Sequence, residues 1–315
     1  MRRRLLLLLC IVSLVGIRAQ RIVTWNVENL FDVQHDTLKN DVDFLPEGSC
    51  HWTKGRYWNK LDNVSRTLAA IAEDGGWPML VGLCEVENDT VLRDLTNRSP
   101  LRLAKYQYIH HEGPDQRGVD VALLYQPSLF DVEGSCPIRV PSEENGLRPT
   151  RDILHVWGRV LASDSLPLHV FVVHFPSRAG GSSSSSRNRM LAAETLCASL
   201  DSLRGQHVVV MGDFNAEPND PVFRPILQCL VSLLPQKRRE LRRAQGTYYY
   251  QGLWGFIDHI LVSKELLPRI ADGKAHVARL PFLLNEKGVP WRTYQGPAYK
   301  GGYSDHLPLW ADFVN

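Results

Sequence analysis

Short runs of apolar residues alternate along the chain with segments in which apolar residues recur every three or four positions. The first pattern predicts buried β-strands, and the second predicts amphipathic helices. Strands 153–161 and 168–175 are expected to be antiparallel neighbours joined by a turn at 164–167. Strands separated by helices, together with antiparallel pairs, predict an α/β fold in which two packed mixed sheets are flanked by helices. The predicted helices are 60–73, 89–95 and 187–203, and the predicted strands are 21–26, 79–86, 118–125, 153–161, 168–175, 206–213, 256–262 and 309–314.

Two stretches interrupt this pattern. Residues 31–57 form a long polar segment, and 179–186 contain only Gly and Ser after Ala179, which predicts a mobile surface loop. Neither stretch resembles an interdomain linker, and the chain contains no internal repeat. We therefore predict a single domain over residues 20–315.

The first nineteen residues are predicted to be a signal peptide. Arg2, Arg3 and Arg4 precede an apolar stretch at 5–17, and Ala19 suits the position before a cleavage site. The apolar stretch is short for a bilayer span, and a retained membrane anchor is the alternative. We expect residues 1–19 to be removed and the mature chain to be exported, to the periplasm or the extracellular space, with no membrane span of its own.

The composition is that of a globular protein, with 315 residues of which 44% are hydrophobic and 22% charged. Lys and Arg total 36 against 34 Asp and Glu, and four of the positive charges lie in the signal segment. A nearly neutral mature chain excludes binding of nucleic acid by overall positive charge, so phosphate must be recognised at a local site. One of the six cysteines is Cys10 in the signal segment, so the mature chain has an odd number of cysteines. The chain contains no Cys-x-x-Cys motif, so we expect no structural zinc site.

Polar side chains stand where several predicted strands end. Strand ends direct side chains into a loop-lined crevice, so we expect these residues to share one site. Their acids and amides offer oxygen ligands, which suit Mg²⁺, or alternatively Mn²⁺ or Ca²⁺, better than zinc. Their histidines suit acid–base chemistry near neutral pH. The residues are Asn26, Glu85, His174, Asp213, Asn215, Asp258, Asp305 and His306.

Several of these residues also have a purely structural interpretation. Asp258 is hard to explain in that way, because a buried carboxylate is costly unless it is paired. His259 is expected on the opposite face of its strand, in a structural role. The alternatives are that Asn26 caps a turn and that Glu85 is a solvated strand end. His174 is alternatively a core histidine with satisfied hydrogen bonds, and the pair Asp213–Asn215 an Asx-turn.

Seven motifs contain these residues. They are TWNVENLF at 24–31, CEVEN at 84–88, RGVDVALLY at 117–125, VHFPSR at 173–178, GDFN at 212–215, FIDHI at 256–260 and YSDHLP at 303–308. Their order resembles that of the endonuclease/exonuclease/phosphatase superfamily, the fold of pancreatic deoxyribonuclease, and most of all its secreted bacterial members. The resemblance extends over about 21–314. It implies a four-layer α/β/β/α sandwich that hydrolyses phosphate esters with a divalent metal.

The resemblance implies a metal site and a general base. Asn26, Glu85 and Asp305 match the metal site, with Glu85 as the principal ligand. His306 matches the general base that activates water. Asp258 matches the acid that orients this histidine.

The resemblance also implies which residues contact the phosphate. His174 matches a histidine that acts as an acid at the leaving oxygen or holds the phosphate. Asp213 and Asn215 match the pair that orients the nucleophile and binds the scissile phosphate. Arg117 matches a phosphate-contacting arginine, for which a surface salt bridge is the alternative.

The substrate class stays open at this level. Nucleases, phosphomonoesterases and sphingomyelinase-like lipid phosphodiesterases share this fold, whereas FIDHI departs from the Trp-x-Asp-Arg pattern of inositol-polyphosphate phosphatases. The aromatic segment 246–254 suits base stacking, lipid contact or simple packing, and the basic segment 235–243 suits a phosphate backbone or a solvated helix face. Export favours extracellular nucleic acid as the substrate, so we expect an endonuclease. We also expect the chain to be a monomer. A non-catalytic binding module that retained the fold is the alternative from another class.

Overall fold

The computed structural model describes residues 20–72, 76–161, 164–178, 182–235, 237–243 and 245–314. The predicted signal peptide at 1–19 lies outside the described residues. Within these ranges, no helix combines the length and the apolar character that crossing a membrane requires.

The described residues form five α-helices and sixteen β-strands. The helices are α1 (Lys54–Ile71), α2 (Asp89–Asn97), α3 (Ser182–Asp201), α4 (Phe223–Cys229) and α5 (Arg238–Arg243). The strands are β1 (Gln20–Leu30), β2 (Leu80–Val86), β3 (Gln107–His110), β4 (Asp120–Tyr125), β5 (Phe130–Ile138), β6 (Ile153–Val160), β7 (Leu166–His174), β8 (Val208–Asp213), β9 (Leu230–Ser232), β10 (Tyr248–Tyr250), β11 (Leu253–Gly255), β12 (Asp258–Ser263), β13 (His276–Val277), β14 (Tyr294–Gln295), β15 (Ala298–Tyr299) and β16 (Leu309–Phe313).

Two six-stranded sheets form the centre of the molecule. The strand order is β13-β16-β1-β2-β4-β3 in the first sheet and β5-β6-β7-β8-β12-β9 in the second. The pairs β1–β2 and β7–β8 are parallel, and their neighbours are antiparallel, so both sheets are mixed. Strands β10 and β11 form a separate hairpin, as do β14 and β15.

The apolar residues sort into layers around these sheets. A buried cluster between the sheets contains Leu80 and Val121 from the first and Val170 and Val209 from the second. Helices α1 and α2 cover the outer face of the first sheet, and α3 and α4 cover that of the second. The four-layer α/β/β/α sandwich predicted from the sequence is therefore confirmed.

Two segments predicted as irregular contain the start of a helix. Helix α1 begins at Lys54 rather than at residue 60, because the Thr53 side chain accepts a hydrogen bond from the Arg56 backbone N–H at 3.4 Å and caps the first turn. Helix α3 begins at Ser182, so the prediction of a loop over 179–186 is wrong from 182 onward. Serine costs a helix less than 1 kcal/mol relative to alanine and is favoured at helix starts, so a serine run does not exclude one. Residues 179–181 lie outside the described ranges.

The strand registers bring polar residues together at one end of the sheets. His174 on β7 pairs with Asp213 on β8, which in turn pairs with Asp258 on β12. Gly212 permits the close approach of β7 and β8: its φ is +146°, and a Cβ there would lie 1.9 Å from the Val173 carbonyl oxygen. Any other residue at 212 would separate the strands that carry these side chains.

Candidate active site

The polar strand ends surround one cavity of about 530 Å³. All the predicted site residues except Asp258 line it, and Asp258 lies directly behind His306. Side chains from both sheets and from the loops between them thus meet at one place, as the sequence predicts. The lining residues predicted from the sequence are Asn26, Glu85, Arg117, His174, Asp213, Asn215, Asp305 and His306.

His306 is held by a buried carboxylate. Its Nδ1 lies 2.8 Å from Asp258 Oδ2, and both side chains are at least nine-tenths buried. Burial opposes the charged form of His306, but the charges of Asp258 and Asp305 outweigh it and raise the pKa of His306 well above its usual value. With Nδ1 engaged, Nε2 is the nitrogen that faces the cavity, 3.9 Å from Asp213 Oδ2.

Asp213 lies at the centre of the buried hydrogen bonds. Its Oδ2 accepts from Asn26 Nδ2 at 3.1 Å, and its Oδ1 accepts from the Asn215 backbone N–H at 2.8 Å. The second bond is an Asx-turn, so the structural and the functional interpretations of this pair both hold. Burial raises the pKa of Asp213 to about 7, although the neighbouring His306 lowers it.

Glu85 has a strongly lowered pKa. Burial raises its pKa, but Arg117, whose Nη2 lies 3.6 Å away, leads the interactions that lower it to about 2. The residue sits at a bulge of β2, with a φ of +63° and its Oε2 accepting from the Asn29 N–H at 2.8 Å. A non-glycine residue in this conformation costs about 1–3 kcal/mol, and such strain concentrates at functional sites.

The predicted metal residues offer an oxygen-rich set of donors. Glu85 is ionised, Asp305 Oδ2 accepts from Arg292 Nη2 at 2.6 Å, and Asp305 Oδ1 lies 3.9 Å from His306 Nε2. Asn26 Oδ1 already accepts from the Glu28 N–H at 2.9 Å and keeps one lone pair. Carboxylate and amide oxygens of this kind fit a divalent cation of the magnesium or calcium type.

A second group of potential ligands lies next to this one. Side-chain atoms of Asp213, Asp258 and His306 lie within 4.8 Å of one another. Because Asp258 and His306 are hydrogen-bonded to each other, this group is better suited to holding and moving a proton than to binding a cation.

The remaining predicted residues line the cavity beside Glu85 and Asp213. His174 is buried, and burial together with Arg151 lowers its pKa well below the usual value, so its ring is neutral. Its Nε2 lies 3.6 Å from Asp213 Oδ2. Asn215, at a φ of +48°, donates from Nδ2 to the Phe175 carbonyl at 3.0 Å, and the half-exposed Arg117 donates to Asn29 Oδ1 at 2.8 Å. Part of the donor capacity of both residues is therefore used within the protein.

The aromatic segment forms one wall of the cavity. Strands β10 and β11 make a hairpin in which the Tyr248 ring packs against His306, with centroids 4.8 Å apart. The Tyr250 ring lies nearly parallel to that of Tyr248, at 16° and 6.3 Å, and is 58% exposed. The stacked rings of Tyr248 and Tyr250 thus extend from His306 to the solvent-exposed side of the cavity.

Sequence analysis missed a buried polar network behind Asp305. Lys60 is 1% exposed and donates to Thr293 Oγ1 and to the Tyr303 carbonyl, each at 2.5 Å. Glu28 accepts from the Thr293 and Tyr294 backbone N–H groups at 2.7 and 3.2 Å. The sequence offered only a weak signal, because the buried face of α1 also carries Ser65 and Thr67 and a lysine there is not conspicuous.

Two predictions made outside the cavity can also be compared with the structure. His259 lies on the opposite face of β12, where its Nε2 is 2.8 Å from the Ala216 carbonyl oxygen and its ring packs on Phe223. The cysteines within the described ranges are all free thiols, so none of them forms a disulfide.

Comparisons with known proteins agree with this architecture. Residues 21–314 match the model of the Endonuclease/Exonuclease/phosphatase family. A search of curated protein sequences finds no match. The solved structures named here share 15–19% sequence identity with this chain, so the similarity shows only a common fold. They include the human Nocturnin catalytic domain with bound sulfate (19% identity, 94% of each chain covered, TM-score 0.60), humanized D. rerio TDP2 (15% identity, 95% of this chain and 100% of that chain, TM-score 0.62) and the Bacteroides thetaiotaomicron mannosyl-6-phosphatase Bt3783 (16% identity, 94% and 100%, TM-score 0.59).

Proposed function

The chain belongs to the endonuclease/exonuclease/phosphatase family, whose members hydrolyse phosphoester bonds, and we propose that it is an exported, divalent-metal-dependent phosphodiesterase that cleaves nucleic acid as an endonuclease. The observation that carries the proposal is the convergence of Glu85, Asp213 and His306, which are far apart in sequence, on one cavity. The basic and apolar character of residues 1–19 supports export.

The base in this proposal is the neutral form of His306. Because the pKa of the ring is raised, the share of this form increases as the pH rises above neutral. Asp258 accepts the hydrogen bond from Nδ1 and so leaves Nε2 to accept a proton from water in the cavity. The carboxylates of Asp258, Asp305 and Asp213 around the ring stabilise the imidazolium that forms. Asp213, 3.9 Å from Nε2, orients the same water.

Other residues stabilise the charge that develops on the phosphate. Glu85, Asn26 and Asp305 would hold the divalent cation, which supplies positive charge to the phosphate oxygens when it is bound. Arg117 and Asn215 donate hydrogen bonds to those oxygens. His174 is neutral, so it donates one N–H to the phosphate rather than delivering a proton to the leaving group.

The hairpin of β10 and β11 favours a nucleic acid substrate. Tyr250 presents an exposed ring face beside the cavity, stacked on Tyr248, which contacts His306. Stacking of a base on such a face contributes about 1–3 kcal/mol and tolerates any base sequence. A base on Tyr250 would place its phosphate toward His306.

The activity is tested by incubating purified residues 20–315 with supercoiled plasmid, RNA, sphingomyelin vesicles and a phosphomonoester. Each substrate is tested with Mg²⁺, Mn²⁺ or Ca²⁺ and with EDTA. We expect nicked and then linear plasmid with a metal, and intact plasmid in EDTA. Phosphate release from the monoester alone would assign a phosphatase instead, and no turnover of any substrate would assign a binding module.

Two variants test the site itself. His306→Ala and Asp213→Ala are each expected to lower kcat by about 10³-fold or more without unfolding the protein. A matched control is the exposed pair His276 and Asp272, whose side chains are 2.9 Å apart and do not line the cavity. Replacing either of these by alanine should leave turnover unchanged. Full turnover in folded His306→Ala would overturn the assignment.

A further inference from the structure

A second cavity adjoins the candidate active site. It has a volume of about 650 Å³ and shares Arg117 and Ser177 with the first cavity. Its other walls include Asp115, the segment Gly146–Arg151, and Asn188 of helix α3. A ligand held in the first cavity could therefore extend into the second without leaving the protein surface.

The charge of this second cavity is positive. Arg117, Arg148 and Arg151 line it, and Asp115 is the carboxylate among its lining residues. Arg151 is 5% exposed, and its Nε lies 3.2 Å from Asp115 Oδ2 at an angle that does not make a hydrogen bond. A buried guanidinium that is only partly compensated is costly, and an anion in the cavity would reduce that cost.

A buried hydroxyl points to the same kind of ligand. Thr150 is 3% exposed, lines the cavity, and its Oγ1 has no hydrogen-bond partner within the ranges that the structure describes. A hydroxyl in this position can donate to an oxygen anion. Buried polar atoms are almost always hydrogen-bonded, so an orphaned one beside three arginines is informative.

The segment that carries these residues is already fixed in place. Asn188 on α3 donates from Nδ2 to the Arg148 carbonyl at 3.3 Å, and its Oδ1 accepts from Ser142 Oγ at 3.0 Å. The arginine side chain at 148 is exposed on this anchored backbone. A preorganised cluster of donors loses less entropy on binding than a mobile one.

We propose that this cavity binds a second phosphate group of the substrate, next to the phosphate that is cleaved. Resting on the proposed function, this inference makes the preferred substrate a chain or compound with at least two neighbouring phosphates. Arginine forks suit phosphate oxygens, which is why Arg148 and Arg151 are assigned to this group rather than to a carbohydrate or a lipid tail.

The test is a binding measurement that needs no turnover. In EDTA, the dissociation constant of the dithymidine monophosphate TpT is compared with those of its 5′- and 3′-phosphorylated forms, pTpT and TpTp. We expect the wild-type protein to bind at least one phosphorylated form about tenfold more tightly than TpT. Arg148→Gln and, separately, Thr150→Val are expected to reduce this preference to less than about threefold.

The matched control is Arg204→Gln, which removes the same charge from an exposed arginine that does not line the cavity and is ion-paired with Asp201. It should keep the tenfold preference. Equal binding of all three ligands by the wild-type protein, or an intact preference in both folded cavity variants, would overturn the inference. An intact preference in a protein that cleaves none of the substrates of the activity test with any metal would overturn the proposed function alone, and binding of none of the ligands would overturn this inference alone.

Discussion

Replacing Lys60 by methionine should destabilise the protein by about 3–5 kcal/mol, because it removes a buried cation together with its hydrogen bonds. The substitution leaves Thr293 Oγ1 and the Tyr303 carbonyl without their donor, and each unsatisfied acceptor costs about 1–3 kcal/mol. It also removes one of the two cations, Lys60 and Arg292, that lower the pKa of the buried Glu28. Methionine is apolar, so its burial carries no cost of desolvating a charge, and this recovers part of the lost stability. The net cost stays large because the carboxylate cannot leave the interior.

The cost should also depend on pH. Burial and Asp305 raise the pKa of Glu28 to about 7, while Lys60 lowers it, so removing Lys60 raises it further. A carboxyl whose pKa is raised on folding binds a proton that the unfolded chain has lost, so stability falls as pH rises. The variant should therefore lose more stability relative to wild type at about pH 8 than at about pH 5.5.

Urea denaturation of wild type, Lys60→Met, Glu28→Gln and the double variant measures these terms. The double variant should be at least about 2 kcal/mol more stable than the sum of the single effects predicts, because no uncompensated charge remains. Lys54→Met, at the exposed first turn of the same helix, is the control and should change little. Additive single effects, or a Lys60→Met variant as stable as the control, would refute the coupling.

The other predictions concern catalysis, substrate and pH. Asp258→Asn should lower kcat by about 10²–10⁴-fold with little change in KM, because the amide cannot hold the His306 imidazolium, and steady-state kinetics at wild-type-like kcat would contradict this. Tyr250→Ala should raise KM for an oligonucleotide about tenfold while Tyr250→Phe does not; an equal loss in both would point to the hydroxyl instead of the ring. Burial raises the pKa of Asp120 to about 7, so wild-type stability should fall by up to about 4 kcal/mol between about pH 4 and pH 7, and Asp120→Asn should flatten that dependence in urea titrations; parallel curves would show the carboxyl to be ionised in the fold.

The sequence predicts the central strands well because their apolar runs are long and buried on both faces. Strands β7 and β8 fall within a residue or two of the predicted bounds at their site ends. The edge strands β3 and β5 were missed, since exposed and half-buried residues alternate irregularly in them. Helix α3 was shortened at its start, because a serine run carries no hydrophobic periodicity and only tertiary packing decides its state.

The sequence predicted the residues that line the cavity, but it did not predict the buried residues that support them. Glu85, Asp213 and His306 stand out because acids and histidines at strand ends have few structural uses. Lys60 does not stand out, since a single lysine in an amphipathic helix usually faces solvent. Its burial depends on the loop that carries Thr293 and Tyr303, more than 200 residues away, and no local pattern carries that information.

The two sheets contribute different halves of the cavity, and His306 is the member of the site farthest along the chain. During translation, His306 is therefore added after all the other residues that line the cavity. The cavity therefore stays incomplete until the last part of the chain has been made and β16 has paired with β1. Any function of this cavity depends on completed folding of both sheets rather than on one early-folding half.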